Sequence, residues 1–490
     1  MDASPETQPT QDSTAAARAQ LSLVDSTSII LGIIIGSAIY EKAPSIAAFT
    51  LRDLLRWFYQ PEQLASAELT SADQWFWGLA AIGLIWGAGA IVALAGALCY
   101  AEIATNHSEA GGNYLFLRKA FGRWAGFAFA WVEFWIIRPG NVGAISFVLA
   151  TYASKIIPIG TSKLATVGVA AGSILVLTVL NVVGIQAGKW TQNLLTLAKV
   201  VGLSAVVLIG LTSPWPVMQT VAPESLAPAP MPGIALAMVF VMFAYGGWSD
   251  MSYVAAEVRD PKRNISRALV LGTIAVAVIY LLVNFAFFRA LGTAMYSSPS
   301  IAADVLATRF GSAGSVIISV LICVSCLGAI HGMILTGSRV SFALGNEHPL
   351  LGWLGSWEAE RGVPRRSLWI QGLATVAMVI AFGLYDKGFE RLVCFTGPFF
   401  WGFFAIIGLS LPMLRYRFPE ASLYRTPLVW LVVPIFVISS LLMSYSSFSY
   451  AITELLTWES LAWGIVVIVS GIIVGVIDQL RSGAKRPEAL

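Results

Sequence analysis

The sequence predicts an all-α polytopic membrane protein with twelve transmembrane helices. Composition is the first observation. Of 490 residues, 57% are hydrophobic and only 12% charged, with a mean hydropathy of +0.76, whereas soluble domains carry about 25% charged residues. The second is length: the apolar runs are long enough to cross a hydrocarbon core of roughly 30 Å as helices. The third is repetition, because such runs recur near 27–49, 75–101, 124–155, 163–183, 189–213, 232–257, 267–290, 313–344, 368–385, 390–414, 427–448 and 459–479.

Before the first run, residues 1–26 are polar, without a basic start or an apolar core. They read as a disordered tail and not as a cleavable signal peptide. The short segment 481–490 reads as a second tail. A net charge of +3 gives no footprint for nucleic acid. All four cysteines (Cys99, Cys323, Cys326 and Cys394) fall in apolar runs. The Cys323–Cys326 spacing lacks other soft ligands nearby, so these residues read as small buried hydrophobes. No metal or other cofactor is expected. No connection holds a nucleophile with a base, a phosphate-cradling glycine loop or a His/Cys cluster, so an enzyme is not expected either.

Twelve spans place both termini on one side, and basic residues choose the side. The tails and even-numbered connections hold 19 of the 30 Lys and Arg residues, against nine in the odd-numbered connections. Both termini are therefore expected in the cytoplasm, with the protein in the plasma or inner membrane. Arg138 and Lys199 are the two cations left inside spans.

Two spans carry helix-breaking sequence. Span 1 contains GIIIGSAIYEKAP, and span 6 contains FAYGGWSD with Gly246, Gly247 and Asp250. Either taken singly fits close helix packing on small residues. Together they stand five spans apart, at matched positions of two halves (about 27–213 and 232–414). Such pairs mark inverted-repeat transporter sites, where broken helices expose N–H groups to a carboxylate and carbonyls to an ammonium or cation. A zwitterionic amino acid carries both groups. Residues 427–480 then form two peripheral spans, and 50–73 an outer loop insertion whose Leu54, Leu55, Trp57, Phe58 and Tyr59 suit an interfacial helix.

These stretches resemble the amino acid–polyamine–organocation superfamily, and most closely its L-type amino acid transporter branch. The resemblance runs from about residue 27 to 440. It is carried by GIIIGSAIY, SEAGGNYLFLRKAFG, WVEFWIIRPGNVGAISFVLATY, QNLLTLAKVVGL, FAYGGWSDMSYVAAEVRDPKRNI, VSCLGAIHGMILTGSRVSFAL and RYRFPEASLYRTPLVWLVVP. It implies the leucine-transporter-type fold, a 5+5 inverted repeat of ten core helices with helices 1 and 6 broken, plus two outer helices. It also implies sodium-independent transport of L-amino acids by alternating access, through exchange or proton coupling. The substrate carboxylate would meet Ile35, Gly36, Ser37 and Ala38. The amino group would meet carbonyls in the stretch Phe243, Ala244, Tyr245, Gly246 and Gly247, with Phe243 as the closing aromatic. Asn141 and Trp401 would complete the lining. Lys199 would stand where relatives hold sodium, contacting span 1 carbonyls and a span 8 hydroxyl, here Ser325. As an intramembrane lysine it is a functional candidate in its own right, with proton release and uptake one open role.

Several departures bear on the substrate. Ala38 replaces the family's second glycine in GSG, and Phe400 stands before Trp401 where relatives have Asn. Ser249 and Asp250 replace Asn and an aromatic. Asp250 either faces a cytoplasmic vestibule or pairs with a cation such as Lys42, Arg138 or Lys199, or else, as the second case, it meets a positive charge on the substrate. The second case would make the chain a polyamine or basic amino acid transporter. Outside transport, a non-transporting membrane sensor remains the alternative. His331 reads as a packed polar residue or a proton relay. The connection SKIIPIGTSKL between spans 3 and 4 has no cysteine, so no disulfide-linked heavy subunit of the kind used by L-type light chains is expected. The other partners expected are the bilayer, an amino acid and, in the coupled case, protons.

Overall fold

The computed structural model describes residues 20–59, 70–157, 162–216, 218, 233–298, 300–385, 388–421, 423–455 and 458–483. Most of the expected N-terminal tail, the tip of the outer loop, part of the connection between spans 3 and 4 and the last seven residues lie outside that set. Apart from two isolated β-bridges, the described residues hold no strand. Twelve helices are long and apolar enough to cross a membrane.

Span 1 starts earlier than its hydropathy suggests. Ser22 accepts a hydrogen bond from the Asp25 N–H at 3.2 Å, while Asp25 Oδ2 accepts from Ser22 N at 3.0 Å. This capping box begins the helix at Leu23, so the last residues assigned to a disordered tail are ordered. Leu21 is buried, and its N–H donates to the Glu257 carbonyl at 2.8 Å, while Arg259 N donates to the Leu21 carbonyl at 2.8 Å. Gln20 and Leu21 are thus fastened to the end of span 6.

The helix runs Leu23–Ile34, breaks, resumes as Ala38–Glu41 and continues as Ala43–Phe58. Residues 50–58 are therefore helix and not outer loop. Arg52 and Asp53 are charged, yet both side chains are buried. Arg52 Nη2 bonds Asp53 Oδ1 at 3.2 Å, and Asp53 Oδ2 accepts from Ile234 N at 2.9 Å. A carboxylate that accepts an orphan N–H at a helix start is well placed, so the first helix caps the sixth. Trp57 and Phe58 remain exposed; residues 60–69 are outside the described set.

Span 3 (Arg123–Ala153) contains a π-helical turn over Glu133–Ile137, immediately before Arg138-Pro139. Span 6 runs Gly233–Tyr245 as α-helix and Trp248–Glu257 as 3-10 helix, with Gly246 and Gly247 between. Spans 1, 3 and 6 are the most enclosed, at 78%, 83% and 67% buried, against 28% for spans 5 and 12 and 33% for span 11. Irregular backbone in a membrane protein survives only inside such enclosure. The three helices that are irregular in mid-span are accordingly the central ones.

Candidate functional site

The break in span 1 frees carbonyl groups, and two neighbouring spans claim them. Gly36 N turns to the Ile34 carbonyl at 2.7 Å instead of reaching back to Gly32. The Gly32 carbonyl accepts from Lys199 Nζ at 2.7 Å, and the Ile35 carbonyl from the same ammonium at 2.9 Å. The third acceptor is the Ser325 carbonyl at 3.0 Å. Ser325 Oγ donates to the Ile35 carbonyl at 2.8 Å and lies 3.2 Å from that of Gly36. Lys199 is fully buried, and its three donors match three acceptors. The charge is expensive in a membrane; here two of its three acceptors are carbonyls that the break would leave unpaired. The predicted hydroxyl contact between Ser325 and Lys199 is thus a contact with the Ser325 backbone, the hydroxyl reaching span 1 beside it.

Span 6 breaks differently. Gly247 has φ of +118°, and a Cβ there would lie 2.6 Å from Ile33 Cγ2 and 3.2 Å from Ile34 N. Only glycine meets both conditions, so the two broken helices touch at this residue. Gly36 lies in the opposite situation: the nearest atom to an added Cβ is 3.9 Å away, so space is left open beside the backbone. Tyr280, on span 7, places its hydroxyl between the two breaks, 2.9 Å from the Ile34 carbonyl and 3.2 Å from that of Ala244.

Between the breaks lies a chamber of about 970 Å³, a volume that includes its open mouth and the solvent space there. Gly36, Ser37 and Ala38 line it from span 1, at the start of the resumed helix, where every helix leaves N–H groups without intrahelical partners. Phe243, Ala244, Gly246, Gly247 and Asp250 line it from span 6, Asn141 from span 3 and Trp401 from span 10. Phe243 meets Phe389 edge-on at 6.0 Å between ring centroids.

Asp250 has a partner. Arg138 Nη1 bonds its Oδ1 at 2.5 Å, and Thr336 Oγ1 donates to the same oxygen at 2.6 Å. Arg138 turns its Nε and Nη2 to Glu133 Oε1 at 2.9 and 2.7 Å. Of the three cations open to Asp250, the structure selects Arg138. Lys42 lies beside Glu41 at 3.4 Å and over the Phe389 ring, and Lys199 is committed to carbonyls.

A family model described as "Amino acid permease" matches residues 21–472. The chain belongs to the amino acid permease family. It is a multi-pass membrane transporter and not an enzyme. The permease is 27% identical over 475 residues to the b(0,+)-type amino acid transporter 1 of Mus musculus, covering 95% of this chain and 89% of that one. It is 28% identical over 336 residues to the serine/threonine exchanger SteT of Bacillus subtilis (strain 168), covering 68% and 69%. A third relative is the large neutral amino acids transporter small subunit 2 of Mus musculus, 26% identical over 421 residues, covering 83% and 72%.

Two residues expected at the chamber lie elsewhere in this permease. The Ile35 carbonyl faces Lys199 and Ser325, so it serves the cation and not the chamber. Tyr245 turns its hydroxyl to the Trp86 carbonyl at 3.2 Å and packs on Trp86 and Tyr280. His331 is fully buried with Nδ1 3.0 Å from Gln192 Oε1. Glu133, Thr336 and Tyr280 were not anticipated. A glutamate five residues before an arginine is a visible signal, but in an α-helix the two point apart; the π-helical turn brings them together. Among the described residues there is no group of three or more His, Cys, Asp or Glu placed to hold a metal.

Proposed function

We propose that this permease carries L-amino acids across the cell membrane as a sodium-independent secondary transporter working by alternating access. The observation that carries this reading is the pair of helix breaks meeting at Gly247, one already supplied with its own cation by Lys199. The carboxylate fits the N–H groups at Ser37 and Ala38, in the positive field of a helix start, while that of Gly36 is spent on the Ile34 carbonyl. The ammonium fits the carbonyls at Phe243, Ala244 and Gly246. Phe243 covers the site from the Phe389 side.

With Lys199 in three hydrogen bonds to carbonyls, no sodium is required at the first break. Exchange is the favoured mode, supported by the name of the serine/threonine exchanger among the relatives; proton coupling is the alternative. The excess of Lys and Arg in the tails and even-numbered connections supports cytoplasmic termini. The cysteine-free connection between spans 3 and 4 supports a chain that works without a disulfide-linked partner subunit.

Uptake into proteoliposomes tests the reading, using a panel of amino acids with and without internal substrate, sodium and an imposed pH gradient. Stimulation by internal substrate alone establishes exchange, and stimulation by inward protons establishes symport. Dependence on sodium, or no uptake of any amino acid, overturns the proposal.

A further inference from the structure

A second cavity, of about 380 Å³ with its open mouth, lies where the start of span 3 meets the ends of spans 8 and 12. Arg123, Trp124 and Phe127 line it from span 3, His348 from the end of span 8, and Asp478 and Gln479 from the last turns of span 12. Span 12 lies directly on span 3 here: a Cβ at Gly475 would be 2.5 Å from Trp124 Cζ3, and one at Gly471 2.6 Å from Trp131 Cδ1. The outer side of span 12 is apolar and open, with Ile472, Ile473 and Val476 exposed. Trp124 is itself 44% exposed, and a tryptophan at the end of a span sits at headgroup level. The cavity therefore opens at the boundary between lipid and water.

Its polar groups are built in, and some of their bonding capacity is unspent. Asp478, 2% exposed, accepts from Leu350 N at 3.1 Å and lies 2.7 Å from His348 Nδ1. A carboxylate can only accept, so Nδ1 carries the proton of the ring. Burial holds the His348 pKa below the usual imidazole value, against the pull of Asp478. The ring is then neutral and its Nε2 an acceptor, yet that nitrogen is buried without a partner in a residue 4% exposed. Arg123 supplies donors beside it. Its Nη2 reaches the Glu347 carbonyl at 2.9 Å and lies 3.5 Å from Asp478 Oδ2. Its Nε and Nη1 donate to no described protein atom. One cavity thus offers a cation with spare donors and an acceptor in the field of a carboxylate.

We propose that this cavity binds the headgroup of phosphatidylethanolamine from the leaflet on that side of the membrane. The phosphate takes the Nε and Nη1 donors of Arg123 in charge-assisted hydrogen bonds. The ammonium donates one N–H to His348 Nε2 and lies in the field of Asp478. The acyl chains follow the exposed apolar side of span 12. Other common headgroups meet only half of the site. Choline carries the positive charge without an N–H, and glycerol carries O–H donors without the charge.

The test titrates the purified full-length protein in detergent with phosphatidylethanolamine, phosphatidylcholine and phosphatidylglycerol of identical acyl chains. The thermal unfolding midpoint and the lipids retained in native mass spectrometry are the readouts. The ethanolamine lipid is expected to raise the midpoint most and to bind about tenfold more tightly than the other two. His348→Phe keeps an aromatic ring and is expected to abolish this preference while phospholipid still binds. Arg123→Gln is expected to weaken all three lipids alike. Equal or tighter binding of the choline or glycerol lipid by the wild-type protein overturns the proposal without need of any variant. A preference unchanged in a folded His348→Phe protein does the same. Protection by soluble glycerophosphoethanolamine at the concentration of the lipid assigns the cavity to a soluble ligand and overturns the membrane source.

Discussion

The two broken helices solve one problem in opposite ways. In span 1 the freed carbonyls of Gly32, Ile35 and Gly36 are answered from within the protein, by Lys199 and Ser325 on spans 5 and 8. In span 6 the break opens on a glycine pair, and Ala244 shares only a tyrosine hydroxyl with Ile34. Its far half is held instead by side-chain ion pairs, Asp250 with Arg138 and Glu257 with Arg339. The difference teaches where a substrate has something to offer. A carbonyl already bonded to a resident ammonium has little left for a second one; a carbonyl beside the chamber that accepts from a single neutral donor, as those of Phe243 and Ala244 do, keeps a lone pair for a cation.

The comparison breaks most easily at its ionic end. Arg339 donates Nε and Nη2 to Glu257 at 2.8 and 3.0 Å in full burial. Arg339→Leu strands a buried carboxylate and is expected to cost about 3–5 kcal/mol, read as a fall in the thermal unfolding midpoint. Lys199→Ala comes next. It leaves the buried Gly32 carbonyl without its donor, at about 1–3 kcal/mol, and removes one of the two donors to that of Ile35; uptake is expected to fall about 100-fold or more, and wild-type exchange in that variant would sink the assignment. Gly247→Ala forces a Cβ into Ile33 at a positive φ, for an expected loss of about 1–3 kcal/mol. That loss is measured by denaturation and should far exceed the effect of Gly36→Ala, where space is open. The smallest effect sharpens the contrast. Tyr280→Phe removes one shared hydroxyl worth about 1 kcal/mol, so apparent affinity should weaken about fivefold without loss of folding.

Much of this arrangement was legible in the residues because it depends on local backbone chemistry. Glycines, serine and proline announced both breaks, and an apolar run interrupted by Lys199 announced a buried cation. What stayed hidden depends on partners far away in the chain. The use of Asp53, capping the start of span 6, is invisible until Ile234 lies beside it. Gln20 and Leu21 looked like a tail because their partners are Glu257, Val258 and Arg259, at the far end of span 6. Asp250 posed a choice among three cations that only the fold decides. Ile35 and Tyr245 were placed in the chamber by adjacency, although neighbouring residues in a broken helix face different ways.

The bonds that hold span 1 open carry a consequence for how the chain is made. The acceptors at Gly32 and Ile34 wait for donors 167 and 246 residues further on. Those at Ile35 and Gly36 wait as many as 290 residues. At the usual pace of a ribosome that is roughly 15 to 60 s, spent in lipid that offers no hydrogen bonds. The first span therefore enters the bilayer as an ordinary continuous helix. Its interruption is imposed later, when spans 5, 7 and 8 arrive, and a nascent chain halted before Lys199 should show backbone protection straight through Gly36.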